Sequence, residues 1–295
     1  MLPTIDGRRT WSLRGPILAI LLAAPLACTV DIQDYRFRSC DLERPCLEPE
    51  VCVRGQCRSA DATAIPHEGL RLWLSADQGV MTEDGGVLQW NDRSGAELAA
   101  LQPTSSARPT WSPDIANGGP GVRFDGLDDF LTFTLPVNGW TSMTLVLVTA
   151  SAANHVPGSA GIHAAPLLWD ETAEWGLVFL NPGPQSIHLR FGTGQIDNFA
   201  SFGRPSSMGT ALSVTMAVKD GGSESLWVDG APVQSFAGKL STIVGCTDFA
   251  YLGQGLMSTY FPGTIAEVLV YDRALDSAER AAVFSYLKLK YPTGE

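Results

Sequence analysis

The sequence predicts an all-β protein, a two-sheet antiparallel sandwich with one C-terminal helix, preceded by a small disulfide-rich segment. From about residue 70 onward, short apolar runs alternate with clusters of glycine, proline, asparagine and aspartate, a pattern typical of sandwiches and barrels. Helical periodicity is found only at the end of the chain. Four cysteines lie close together before the main domain, as in small modules held by disulfides.

Residues 1–27 are interpreted as a targeting segment. Arg8, Arg9 and Arg14 form a basic region before the apolar run PILAILLAAPLA, which ends directly before Cys28. A run of this length is shorter than the roughly 20 residues that a membrane-spanning helix needs. The segment therefore predicts export of the chain.

Cys28 is a candidate for lipidation. Ala27 directly before it resembles the lipobox of bacterial lipoproteins, in which the cysteine becomes the N-terminus and is acylated, although Pro25 stands where that pattern usually has leucine. Several acyl chains would hold the protein on a membrane. We therefore expect a lipoprotein of the outer membrane or cell surface. The alternative is an ordinary secretory peptide and a periplasmic or secreted protein, with Cys28 free or paired with Cys246.

The charge of the chain excludes one class of partner. It has 31 acidic against 20 basic side chains and a net charge of −11. Nucleic-acid binding depends on clustered lysine and arginine, so no nucleic-acid partner is expected. An acidic surface is compatible with neutral ligands or with calcium but requires neither.

The four clustered cysteines are Cys40, Cys46, Cys52 and Cys57. In an exported chain their spacing predicts two disulfides, and three pairings are open. Zinc is the alternative, but it usually takes C-x-x-C pairs. The segment CDLERPCLEPEVCVRGQC resembles the cysteine modules that follow the anchor in bacterial surface lipoproteins, which implies a spacer.

The remaining organisation follows from composition. Residues 28–60 hold the candidate lipidation cysteine and the cysteine-rich module. Residues 61–69 are polar and small, without an apolar period, and are interpreted as a linker. Residues 70–295 form the main domain.

Three local patterns within the main domain are specific. The run MTLVLVT is apolar on both faces, which predicts an interior strand. Asp229-Gly230 between two apolar runs predicts a hairpin with a type I′ turn. Asp276 and Glu279 form a capping-box pattern at the start of a helix. The helical positions expected to face the sandwich are Ala282, Val283, Tyr286, Leu287 and Lys290.

The segment GVRFDGLDDFL, residues 121–131, combines a strand pattern with three aspartates. We expect Val122 and Phe124 to point inward, and Phe130 to anchor the next strand in the core. Trp90, in the stretch WNDRSG, is expected to be a core residue as well.

Asp125, Asp128 and Asp129 of this segment have two interpretations. Aspartate favours such positions because its carboxylate accepts from nearby backbone amides in Asx turns. Carboxylates are also the ligands that calcium prefers, so the three residues are a candidate calcium site, although their spacing differs from an EF-hand loop.

Six segments together resemble a known family: LRLWLSADQGV, VLQWNDRSG, GGPGVRFDGLDDFL, LWVDG, FPGTIAEVLVYDRAL and AERAAVFSYLKLKY. In this order they are similar to the laminin-G-like, concanavalin A-like jelly-roll domains of bacterial surface proteins, over residues 70–291. The resemblance implies two antiparallel sheets stacked face to face. It also implies a concave face and loop rims at which relatives bind glycans, proteins or calcium.

Concanavalin A-like folds include glycosidases, which carry catalytic carboxylates as E-x-D-x-E on one strand. The nearest pattern here is WDETAEW, with Asp170, Thr172 and Glu174 on one side. Threonine replaces the central carboxylate that would tune the pKa values of the other two. No catalytic residue is therefore assigned.

The four histidines show no paired metal spacing. His155 and His163 flank the loop HVPGSAGIHAAP, where we expect them to be exposed. Cys246 is expected to pack as a small buried residue.

If the domain binds sugar, aromatic rings should stack on pyranose faces and planar polar groups should bond hydroxyls. Trp175, Arg190 and Tyr260 are the candidates. The sequence thus predicts an exported surface protein that binds a glycan or protein ligand without turnover. A concanavalin A-like carbohydrate hydrolase and a purely structural envelope protein are the alternatives.

Overall fold

The structure is a computed structural model. It describes residues 46, 50–53, 56–59, 65–115, 119–156, 158, 161–172, 176–184, 186–192, 199–203 and 211–291. Cys28 and Cys40, and with them the predicted anchor, lie outside these residues. None of the helices in the described ranges has the length and apolar character needed to span a bilayer.

The described chain is built from strands, one α-helix and a short 3-10 helix, Ser105–Ala107. The first strands are β1 (Glu50–Val53), β2 (Gln56–Ser59), β3 (Leu70–Ser75), β4 (Val80–Glu83), β5 (Gly86–Asn91), β6 (Ala99–Leu101), β7 (Thr110–Ile115), β8 (Gly119–Asp125), β9 (Leu131–Thr134), β10 (Ser142–Ser151) and β11 (Leu167–Glu171). Those that follow are β12 (Leu177–Pro182), β13 (Ser186–Gly192), β14 (Phe199–Gly203), β15 (Ser213–Asp220), β16 (Ser223–Val228), β17 (Ala231–Phe236), β18 (Cys246–Leu252), β19 (Gln254–Gly255), β20 (Thr259–Tyr260) and β21 (Pro262–Tyr271). The helix α1 spans Ser277–Lys290.

Two large antiparallel sheets form the domain. The eight-stranded sheet has the order β17-β16-β15-β10-β21-β8-β7, and β3 pairs with β21 beside β8. The nine-stranded sheet has the order β14-β13-β12-β11-β18-β9-β6-β5-β4. The predicted all-β sandwich of two antiparallel sheets with a C-terminal helix is therefore confirmed.

The main core lies between the two sheets. Alternating positions of both sheets supply it, because successive side chains of a strand point to opposite faces. Val122, Phe124 and Trp90 are buried there as expected. The prediction that Phe130 lies in the core is wrong. It is only partly buried, because Leu131 points inward and Phe130 shares the outward parity of Thr132.

Strand β10 is covered on both faces, as its continuous apolar run predicts. Leu145 and Leu147 belong to the core between the sheets, whereas Val146 and Val148 belong to a second cluster on the outer face of the eight-stranded sheet. Helix α1 completes this second cluster. Its buried residues are Val283, Tyr286, Leu287 and Lys290.

The hairpin turn and the helix cap that the sequence predicts near the end of the domain are both present. Asp229 and Gly230 both have positive φ, at 50° and 88°, as a type I′ turn requires. The Asp276 side chain accepts from the amides of Ala278 and Glu279, and the Glu279 side chain accepts from the Asp276 amide. The capping box is therefore confirmed.

The cysteine-rich segment contributes a hairpin of β1 and β2. Cys46 and Cys57 form a disulfide, and Cys52 lies opposite Cys57 in the strand register. The disulfide interpretation is thus confirmed for one pair. Cys246 is buried as a free thiol, and burial raises its pKa to about 12.

Candidate functional site

The outer face of the nine-stranded sheet carries a continuous row of side chains. The strand registers place neighbours on adjacent strands, and side chains at paired positions point to the same face. The row crosses the sheet from the edge strand β4 to β13. Its members, in this order, are Met81, Gln89, Leu101, Thr132, Tyr251, Leu168, Phe179 and Arg190.

Part of this face is covered by the chain itself. Residues 161–165, here called the cover segment, and the β19–β20 hairpin lie over it. Leu168 and Phe179 of the row are buried in a small cluster with Ile162, Ala165, Leu177 and Leu256. The row is therefore open from β4 to β18 and closed over β11 and β12.

Four aromatic residues lie beside the open part. The Phe130 ring is 6.4 Å from the Tyr251 ring and 6.2 Å from the Tyr260 ring, between centroids. Phe249, which shares the outward parity of Tyr251, is 58% exposed. We call Phe130, Phe249, Tyr251 and Tyr260 the aromatic face.

Polar groups border these rings. Thr132 and Thr134 are the strand partners of Tyr251 and Phe249, so their hydroxyls lie next to the rings. An open apolar surface with hydroxyls at its border can accept a ligand that has both apolar and polar faces.

Two of the three predicted sugar-binding residues lie in the described ranges, and the structure brings one of these two to this face. Tyr260 belongs to it. Arg190 shares the row but lies three strands from Tyr251, roughly 14 Å at about 4.8 Å per strand, beyond the cover segment. Trp175 lies outside the described residues.

Asp125, Asp128 and Asp129 converge at the end of β8, with one ligand atom of each within 4.8 Å of the others. Two of these carboxylate oxygens already accept hydrogen bonds from backbone amides of the turn. Asp125 Oδ1 accepts from the Leu127 amide at 2.7 Å, and Asp129 Oδ2 accepts from the Asp125 amide at 2.9 Å. The Asx-turn interpretation is therefore confirmed, and calcium binding stays a prediction.

Asp129 differs from the other two aspartates because it is buried. Desolvation, opposed by its hydrogen bond from the Asp125 amide and reinforced by the charges of Asp125 and Asp128, raises the pKa of Asp129 to about 6. The ionised carboxylate therefore costs free energy in the folded state at neutral pH, and a bound cation would relieve that cost.

A buried polar cluster lies between the cover segment and the outer face of β12 and β13. His155 Nε2 is 3.0 Å from Asn181 Oδ1, and His188 Nε2 is 2.7 Å from Ser186 Oγ. The prediction that His155 is an exposed loop residue is wrong, since its side chain is 3% exposed and packs edge-on against Phe261. Sequence reasoning misses this cluster because its members come from a loop and two strands.

The strand with the glycosidase-like pattern is irregular. The register between β11 and β18 shifts between Trp169 and Glu171, and Thr172 forms a bend after the strand. Glu174 lies outside the described residues. The regular alternation that would hold carboxylates on one face therefore ends at Asp170.

Comparison with protein families gives one match. The laminin-G-like family model, described as the concanavalin A-like lectin/glucanases superfamily, matches residues 152–279. The predicted resemblance is thus confirmed for a segment that contains the cover segment, Tyr251 and Tyr260. No curated protein matches the chain in sequence.

Solved structures share the fold at low identity. A structure from work on ganglioside-dependent cell entry of botulinum neurotoxin type C is 11% identical with a TM-score of 0.54, over 76% of this chain and 52% of that chain. Trypanosoma rangeli sialidase in complex with sialic acid is 18% identical with a TM-score of 0.50, over 76% and 34%. The binding domain of Paraclostridial Mosquitocidal Protein 1 is 12% identical with a TM-score of 0.50, over 73% and 52%. The chain spans only a third to a half of these chains.

Proposed function

Because residues 152–279 match the concanavalin A-like superfamily, we propose that this protein is a non-catalytic glycan-binding protein whose site is the aromatic face. The observation that carries the proposal is the group of three adjacent rings, Phe130, Tyr251 and Tyr260, on an open sheet face. The fold supports this choice, since structures that share it include chains described with sialic acid and with gangliosides.

The rings would bind the apolar face of a pyranose. A sugar ring carries C–H groups on one face and hydroxyls at its edge, and it buries the C–H face against an aromatic side chain. Phe249 extends the platform along β18, so the face is long enough for more than one sugar unit. Thr132 and Thr134 would bond hydroxyls at the border.

The charges around the face favour a neutral glycan. Asp125 and Asp128 are exposed in the turn that leads from β8 to Phe130, and the whole chain carries a net charge of −11. A sialylated or sulfated sugar would meet electrostatic repulsion there. Arg190 is the cation of the row, but the cover segment stands between it and the rings.

A glycan array tests this proposal. We expect binding to neutral oligosaccharides and weaker binding to their sialylated counterparts, at neutral pH. The array is run with calcium and with EDTA, because calcium at Asp125, Asp128 and Asp129 would neutralise carboxylates beside the face. Absence of binding to every neutral glycan under both conditions would contradict the proposal.

We further propose that the protein is exported and held on a membrane by acylated Cys28. The support is the basic region, the apolar run and the small residue before Cys28. The Cys28→Ser variant should move from the membrane fraction to the soluble fraction, since only the acyl chains hold it. A Cys246→Ser variant is the matched control and should stay with the membrane. Equal fractionation of the Cys28→Ser variant and the wild type would refute the anchor.

A further inference from the structure

The buried cluster of His155, Asn181 and His188 connects the loop after β10 to the nine-stranded sheet. His155 comes from the loop, Asn181 from β12 and His188 from β13. The two imidazoles are 3% and 6% exposed. We propose that protonation of His155 and His188 in mildly acidic solution releases the cover segment and the β19–β20 hairpin, and so opens one wall of the aromatic face. This rests on the proposed function of that face.

Asn181 fixes which nitrogen of His155 carries the proton. Its amide Nδ2 donates to the carbonyls of Gly161, at 2.8 Å, and His163, at 3.0 Å. Asn181 Oδ1 therefore faces His155 Nε2 as an acceptor, and the neutral imidazole must donate through Nε2. The lone pair then lies on Nδ1, which is buried without a partner among the described residues.

A second proton on His155 would bind to Nδ1, and the resulting N–H would have no hydrogen-bond acceptor among the described residues. It would create a charged, desolvated N–H, which costs far more than a neutral group in the same place. Burial lowers the pKa of both His155 and His188, and protonation of His155 would lower that of His188 further. Both rings are therefore neutral in the closed structure and take up protons when water reaches them.

The charges around the two rings reinforce this effect. Arg190 follows on the same face of β13 and would repel a protonated His188. His163 lies in the cover segment, and the neighbouring strand β14 has no ionisable residue. The side chain that bonds His155 is the neutral amide of Asn181, which cannot compensate a positive charge as a carboxylate would.

The cover segment links these rings to the aromatic face. On one side, Asn181 bonds the carbonyls of Gly161 and His163. On the other side, the Ile162 carbonyl accepts from the Leu256 amide at 3.0 Å, and the Ala164 amide donates to Thr259 Oγ1 at 2.8 Å. Tyr260 follows Thr259 directly and contacts Phe130. Loss of the first set of bonds therefore loosens the support of Tyr260.

Gly161 shows how closely the cover segment lies on His188. Its φ is +68°, and a Cβ atom at this position would be 2.2 Å from Cγ of the His188 ring. The segment therefore cannot keep this position if Gly161 gains a side chain. Its opening admits water to both imidazoles at once.

The expected size of the effect follows from proton linkage. We consider the equilibrium constant for opening of the cover segment. Each histidine that is neutral in the closed form and charged in the open form raises this constant up to about tenfold per pH unit below about 6.5. At about pH 5 this gives roughly 30-fold for one histidine and up to about a thousandfold for two.

Hydrogen exchange with mass spectrometry tests the proposal without any ligand. Wild-type protein is compared at about pH 7.5 and about pH 5, with correction for intrinsic exchange. We expect peptides that cover residues 161–172 and 252–261 to lose protection in acid, while peptides of β10 stay protected. Unchanged protection of residues 161–172 would overturn the proposal. Loss there without loss at residues 252–261 would overturn the link to the aromatic face.

Two sets of variants sharpen the test. The His155→Gln/His188→Gln variant can keep the hydrogen bonds without titrating, so protection of residues 161–172 in this variant should not depend on pH. Gly161→Ala should open the segment already at neutral pH. Gly139→Ala is its matched control, because Gly139 also has positive φ but a Cβ atom added there would meet nothing within 4 Å. Equal protection in the two alanine variants would contradict the close approach.

These results separate the two proposals. Failure of the glycan array leaves the exchange result intact, because exchange reports the segment itself. Failure of the exchange experiment leaves neutral-pH glycan binding intact. If the double glutamine variant does not fold, the wild-type pH comparison and the two alanine variants still decide the outcome.

Discussion

Replacing Lys290 with methionine is expected to lower the free energy of unfolding by about 3–5 kcal/mol, the usual cost of leaving a buried charge without its partner. Lys290 is the last residue of α1 and is buried against the eight-stranded sheet. Its Nζ lies 2.8 Å from a carboxylate oxygen of Asp77 and 2.8 Å from one of Glu267. Methionine keeps the apolar stem but leaves Glu267 buried and charged.

Glu267 has no access to water that would replace the ammonium. It is fully buried, and besides Lys290 it accepts from three side chains: Trp73 Nε1, Tyr286 Oη and Tyr291 Oη. Burial alone would lower the pKa of Lys290, but the charges of Asp77 and Glu267 outweigh it and raise this pKa well above its usual value. The lysine therefore stays charged at neutral pH.

Urea denaturation followed by circular dichroism measures this effect. Lys288→Met is the matched control, because Lys288 lies in the same last turn of α1 and is exposed. It should change the unfolding free energy by less than about 0.5 kcal/mol. Equal unfolding midpoints for the Lys290 and Lys288 variants would show that the network does not hold the helix on the sheet.

The sequence predicts the scaffold well because the patterns that specify strands, turns and helix caps involve only residues close together in the chain. Strand alternation, the Asp229-Gly230 turn and the Asp276 capping box each depend on a few neighbouring residues, and all are present. Helical spacing also places Lys290 on the face that packs on the sheet. The identity of its partners is not predictable in this way, since Asp77 and Glu267 are remote from it in sequence.

The candidate site is less predictable for the same reason. Tyr260 can be chosen as an aromatic residue near a strand end, but Phe130 and Tyr251 become its neighbours only through the pairing of β18 with β9. The outward parity of Phe130 follows from Leu131, whose inward position the pattern FLTFTL leaves ambiguous because both are apolar. The burial of His155 escapes sequence reasoning because a loop rich in small residues can still fold back onto a sheet.

Replacing Tyr251 with alanine is expected to weaken glycan binding about 10- to 100-fold, the range typical of an aromatic residue at the centre of a binding surface. Tyr251 lies between Phe130 and Phe249 on the aromatic face, so its loss interrupts the platform. Tyr251→Phe keeps the ring and should retain affinity within a few-fold. Calorimetric titration with the oligosaccharide that gives the strongest array signal measures both variants.

The control for this variant is Trp227→Ala. Trp227 is a partly buried aromatic residue of the eight-stranded sheet, where the Arg280 guanidinium lies 4.4 Å from its ring. Because the outer faces of the two sheets point away from each other, removal of this ring should leave glycan affinity unchanged even if it lowers stability. Loss of affinity in the Trp227 variant, with full affinity in the Tyr251 variant, would place the binding site on the opposite sheet.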